Sequence, residues 1–178
     1  MSFSLYDATV PSWRQTLRAV TGYLDKAQAF CDERGVAPAT LIEARLIEAR
    51  LIDDMFPLGF QINSVCVHSL GAIEGVRRGT FSPDRSPWPT DFAGLRAKVQ
   101  ATLEAIESLQ PDEVNGLMGR DVTFQRGEVA VPFVAENFLL SFSIPNFYFH
   151  AATGYDILRS RGVPLGKVDY MGAVRKKA

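Results

Sequence analysis

Apolar residues recur at three- and four-residue spacings through most of the chain, which is the period of amphipathic helices. After Pro11, the residues Trp13, Leu17, Val20, Leu24, Ala27 and Cys31 form one stripe, with Arg14, Arg18 and Lys26 off it. Proline suits a first helical position, where its missing N–H would have no partner, so a helix is expected from near Pro11 to a stop at Gly35. DDMFPL (53–58) opens a second helix that closes on Gly79 after a basic last turn. Its stripe of Leu58, Ile62, Val65, Ala72 and Val76 is widened by Phe60, Val67, Leu70 and Ile73, which predicts a mostly enclosed helix. TFSPDRSPWPTDF (80–92) carries three prolines and reads as a loop. Thr90 or Asp91 caps a third helix bearing Phe92, Leu95, Val99, Leu103 and Ile106, which ends before Pro111. The last helix runs from about Ala135 to Arg161, with Gly162 as its stop and Pro145 bending it one turn before His150.

The period changes once. DVTFQ (121–125), a turn at Arg126-Gly127 and EVAVPF (128–133) alternate like a short β-hairpin, expected to lie over the helices as a flap. LIEARLIEAR (41–50) is a tandem pentapeptide; five residues advance a helix by about 500°, so the copies face different ways. It reads as a duplication in a short connecting helix without chemistry of its own. The expected fold is all-α: one domain over 1–178, a four-helix bundle with a short connecting helix and a small β-hairpin before the last helix.

Composition narrows the setting. The 178 residues are 47% apolar and 22% charged, ordinary for a globular chain, and a net charge of −1 leaves no electrostatic footprint for nucleic acid. Arg175, Lys176 and Lys177 read as a solvated tail. Cys31 and Cys66 lack framework spacing and read as buried free thiols in a reducing compartment. No basic segment followed by an apolar run opens the chain, and no run of 18 apolar residues occurs, so neither a secretory signal nor a membrane span is expected. The expected location is the cytoplasm.

Chemistry concentrates around the two histidines, His68 and His150. Gln61 and Ser64 lie seven and four residues before His68, on its face of the second helix. Asn146, His150 and Thr153 share a face of the last helix in the same way. Two such strips could meet inside a bundle and form a metal or small-molecule pocket, with Gln61, Ser64 and Thr153 around His68, Asn146 and His150. The bland alternative is a pair of core histidines bonded to neighbouring polar groups. Other chemistry has less support. No glycine-rich phosphate loop occurs, and Cys66 and His68 point apart on a helix. The aromatics of PNFYF (145–149) suit an apolar pocket or the seam of a homodimer.

SLYDATVP (4–11), DDMFPL (53–58), His68 and above all PNFYFHAATGYDILRSRGVPLGKVDY (145–170) carry a resemblance. Over nearly the whole chain the sequence resembles the DinB/YfiT-like superfamily of metalloenzyme-type bundles, closest to a bacterial branch of unknown function. That resemblance implies one metal-binding histidine on the second helix, matched by His68, and two on the last helix, four residues apart. His150 matches one of them, and Asn146 stands where the other would be. It therefore implies a degenerate site for zinc or nickel, with the metal held weakly or not at all. An active metal-dependent hydrolase or thiol transferase and a non-catalytic helical scaffold are the alternatives. The expected partners are a second copy of the chain and a small molecule, without nucleic acid or membrane.

Overall fold

The computed structural model describes residues 3–33, 39–84 and 86–177. Helix α1 spans Leu5–Glu33, starting six residues ahead of Pro11. Its start is set by Ser4 and Asp7. The Asp7 carboxylate accepts from the Ser4 amide at 3.1 Å, and the Ser4 hydroxyl accepts from the Asp7 amide at 3.2 Å, a reciprocal cap. Pro11 thus lies within the second turn, where it removes a single backbone bond. The stop expected at Gly35 lies outside the described residues.

Helix α2 covers Ala39–Ile47 and ends inside the second pentapeptide copy. The two copies do face different ways: Glu43 is buried while Glu48 is exposed. The repeat is not inert, because the Glu43 carboxylate accepts the Phe92 amide at 2.5 Å, satisfying the start of a later helix.

The second predicted helix is two helices, α3 (Leu58–Val67) and α4 (Leu70–Arg78), broken at His68 and Ser69. Ser69 explains the break. Its hydroxyl donates to the carbonyls of Val65 at 2.8 Å and Cys66 at 3.2 Å, and its ψ of −90° leaves the helical ladder. Gly79 ends α4 at φ 76°. The proline-rich segment then begins with a strand, β1 (Thr80–Phe81), which pairs in parallel with β2 (Asp121–Arg126). β2 pairs antiparallel with β3 (Val129–Val134) across Gly127, whose φ of 61° suits the turn. The fold is therefore mostly helical with a three-stranded sheet, rather than all-α with a lone hairpin.

Asp91, not Thr90, caps α5 (Phe92–Ser108), accepting the Gly94 amide at 2.6 Å. A short helix, α6 (Pro111–Asn115), precedes β2. The last long segment is α7 (Ala135–Asn137), a π-helical turn over Phe138–Ser143 and α8 (Ile144–Ser160), followed by α9 (Lys167–Met171). In a regular helix the Pro145 ring would press on the carbonyl four residues back; the wider turn before it relieves that contact.

α1 lies along α5 and α3 lies along α8, while α3 also meets α5 and α1 meets α8. Trp13, Tyr23, Phe92, Phe138 and Phe147 fill the space between them. Each side chain of this size contributes about 1.5–3 kcal/mol by leaving water. Gly154 and Gly59 are among the glycines that permit close approaches. A Cβ at Gly154 would stand 3.2 Å from both Ile62 Cδ1 and Tyr23 Oη, so its absence draws α8 onto α3 and α1. A Cβ at Gly59 would fall 2.3 Å from Trp88, which rests its indole directly on α3.

Candidate functional site

The break at His68 and the π-helical turn face each other, and Ser143 joins them. Released from the helical ladder, the His68 carbonyl accepts the Ser143 hydroxyl proton at 3.0 Å. With its one proton committed there, Ser143 Oγ meets His68 Nδ1 at 3.3 Å as an acceptor. The network therefore assigns the proton to Nδ1 of His68, leaving a lone pair on Nε2.

The same logic fixes His150. Gln61 Nε2 donates to the Phe56 carbonyl at 2.8 Å, which orients the amide so that Oε1 lies 2.7 Å from His150 Nδ1. A carbonyl oxygen only accepts, so His150 also carries its proton on Nδ1 and a bare lone pair on Nε2. Both rings are neutral at physiological pH. Burial and then the neighbouring His150 lower the His68 pKa to about 3, and burial lowers that of His150 to about 4.

The ring centres stand 5.7 Å apart with 20° between their planes. They line a cavity of about 590 Å³ together with Ser64, Val67 and Asn146. Its walls are largely aromatic. Phe56 and Phe60 come from the start of α3 and the turn before it, Trp88 from the 82–91 loop, Phe124 from β2 and Phe142 from the π-helical turn. Asp84 and Arg126 complete the wall. Asn146 donates its amide N–H to the Phe142 carbonyl at 2.8 Å, which leaves its own oxygen as the group it can offer a ligand.

Of the residues picked out by spacing, His68, His150, Asn146 and Ser64 share this cavity. Gln61 stands behind His150 as its hydrogen-bond partner, and Thr153 is buried off the cavity wall. Ser143 was missed although it lies three and seven residues before Asn146 and His150, on the strip already singled out. Trp88, Phe124 and Arg126 had no comparable signal, since loop and strand positions carry no helical period. Cys66 is no nucleophile: burial pushes its thiol up to about 11, against a weaker opposing bond to Thr102.

The donor set falls short of a tight metal site. With metal–nitrogen bonds of about 2.1 Å, two imidazoles sharing an ion have ring centres about 5–6 Å apart, a span these rings match. A catalytic zinc nevertheless takes three protein ligands, and here an amide oxygen stands third. Among the described residues no group of three His, Cys, Asp or Glu side chains could hold an ion. No helix of the described residues is long and apolar enough to cross a membrane.

A family model described as "Domain of unknown function (DUF1993)" matches residues 5–171. No curated protein matches the chain. Among solved structures, a DinB family member protein from Shewanella denitrificans is similar. It is 27% identical, the match covers 98% of this chain and 95% of that one, and the TM-score is 0.77.

Proposed function

The chain belongs to the DUF1993 family and is DinB-like, and on that footing we propose that it is a binding protein whose bundle interior holds a small molecule against two neutral imidazoles. In this reading the four long helical segments act as a four-helix bundle. The observation that carries it is that both imidazoles line one aromatic-walled cavity with Nδ1 of each tied to a neighbouring side chain, which leaves Nε2 for a ligand. Cavities of this size with a few convergent polar groups are where small ligands bind. A divalent transition metal, zinc or nickel, would be held by His68 and His150 with help from Asn146, and only weakly. A bound ion would supply Lewis acidity, but the donor set gives no basis for a catalytic step.

Zinc titrated calorimetrically into protein without a histidine tag should bind with Kd on the order of 10–100 μM. His68→Gln and His150→Gln should each abolish that binding. Zinc binding unaltered in both variants would sink the reading.

Association belongs to the same proposal. Leu140, Tyr148 and Phe149 on the last helical segment are exposed, more apolar surface than a helix facing water needs. A two-fold homodimer is the closed arrangement that would cover them. Sedimentation at about 50 μM should give a dimer, and a Phe149→Glu variant a monomer. A monomeric parent at that concentration would count against it.

A further inference from the structure

Arg126, the last residue of β2, is exposed on the cavity wall, and its guanidinium forms no ion pair among the described residues. Among the described residues the other carboxylate or cationic side chain of the wall is Asp84, and it is already matched. Lys98 Nζ lies 3.7 Å from one of its oxygens, and the Ser86 amide donates to the other at 2.9 Å. Burial opposes the charge on Asp84, but these bonds and Lys98 outweigh it and hold its pKa below the usual carboxylate range. Each imidazole has its Nδ1 tied to a neighbouring side chain, and among the described residues of the wall Arg126 is left as the charge without a partner.

Much of the wall they share is aromatic. Phe56 and Phe60 stack at 4.1 Å, Trp88 meets Phe60 edge-on at 5.8 Å, and Phe124 and Phe142 pack at 4.9 Å. Such walls suit a flat aromatic body. The two Nε2 atoms can only accept, so the buried end of a ligand has to present an O–H or N–H. The exposed end meets a guanidinium, whose planar fork matches a carboxylate or sulfonate.

We infer that the cavity takes an aromatic organic anion, with its negative group on Arg126 at the mouth and a hydrogen-bond donor on His68 or His150 inside. The inference rests on the pocket reading above and adds the class of ligand.

Two dyes separate the two claims. Anilinonaphthalene sulfonate carries an aromatic body, an N–H and an anion; phenylnaphthylamine has the same body and N–H without the charge. Fluorescence titration of the full chain should show the sulfonate binding about 5-fold more tightly, with the gap narrowing in high salt. Arg126→Gln should remove the gap and leave phenylnaphthylamine binding as in the parent. Ser64→Phe, which fills the cavity beside His68, should weaken both dyes about 10-fold or more. Trp88→Ala, at a half-exposed wall position where folding is less at stake, should weaken both as well. Equal affinity for the two dyes, or a gap that survives Arg126→Gln, would overturn the anion inference while leaving the pocket intact. Dye binding indifferent to both Ser64→Phe and Trp88→Ala would overturn the pocket reading, and the inference with it.

Discussion

Asn146→His is expected to raise the affinity for zinc on the order of 100-fold, the largest change a single substitution should produce in this protein. Asn146 and His150 are four residues apart in α8, so they lie on one helix face and both line the cavity shared with His68. The substitution exchanges an amide oxygen, a poor partner for zinc, for a third imidazole, completing the donor number of catalytic zinc sites. The fold should tolerate it, because Asn146 is half-buried against open cavity and gives up only an i−4 bond to the Phe142 carbonyl. Calorimetric titration of both forms at neutral pH decides the matter. Equal affinities would mean that position 146 does not face the ion, and the superfamily's three-histidine arrangement would then say nothing about this chain.

Acid should destabilise the metal-free protein well before its carboxylates protonate. In the unfolded chain both imidazoles titrate near 6.5. In the fold, burial holds His68 near about 3 and His150 near about 4. Above pH 6.5 both are neutral in either state and add no pH dependence. Below it the unfolded chain takes up protons that the fold refuses, so stability falls as pH falls. The slope reaches at most about 1.4 kcal/mol per pH unit for each histidine, flattening as His150 and then His68 protonate in the fold. Asp84, Glu136 and Asp169 have lowered pKa values too, but their contribution is lost only below the ordinary carboxylate range. Between about pH 4.5 and 6.5 the decline therefore belongs to the histidines. Urea melts in chelator should show it in the parent and a much flatter profile in His68→Gln/His150→Gln. An equal slope in both would show that the imidazoles are more solvated than their surroundings indicate.

The helical core was legible because helix burial is periodic. Trp13, Leu17, Val20 and Leu24 are all buried, as their spacing requires, and so are Leu95, Val99 and Ile106. The hairpin was legible from alternation, but its third strand was not, since Thr80 and Phe81 are too few to show a period. The start of α1 was readable after all. Ser4 and Asp7 form the cap, and Pro11 drew the boundary too late because a proline can sit in a second turn. Pro145 marked an irregularity in the last helix, yet the form it took, a π-helical turn ending at Ser143, depends on what that turn packs against.

For the site, the sequence determined which residues are available. Two histidines, each on a polar strip of a long apolar segment, are local facts that spacing alone conveys. Only the tertiary structure decided how they act. Tautomers depend on hydrogen-bond partners 75 and 89 residues away in the chain, Ser143 for His68 and Gln61 for His150. The cavity wall depends on a loop resting on Gly59 and on strand β2, whose Phe124 and Arg126 join it through packing that no periodicity encodes. Neutrality of the rings is likewise a product of burial by the whole assembly, because a pKa responds to every group that displaces water around it.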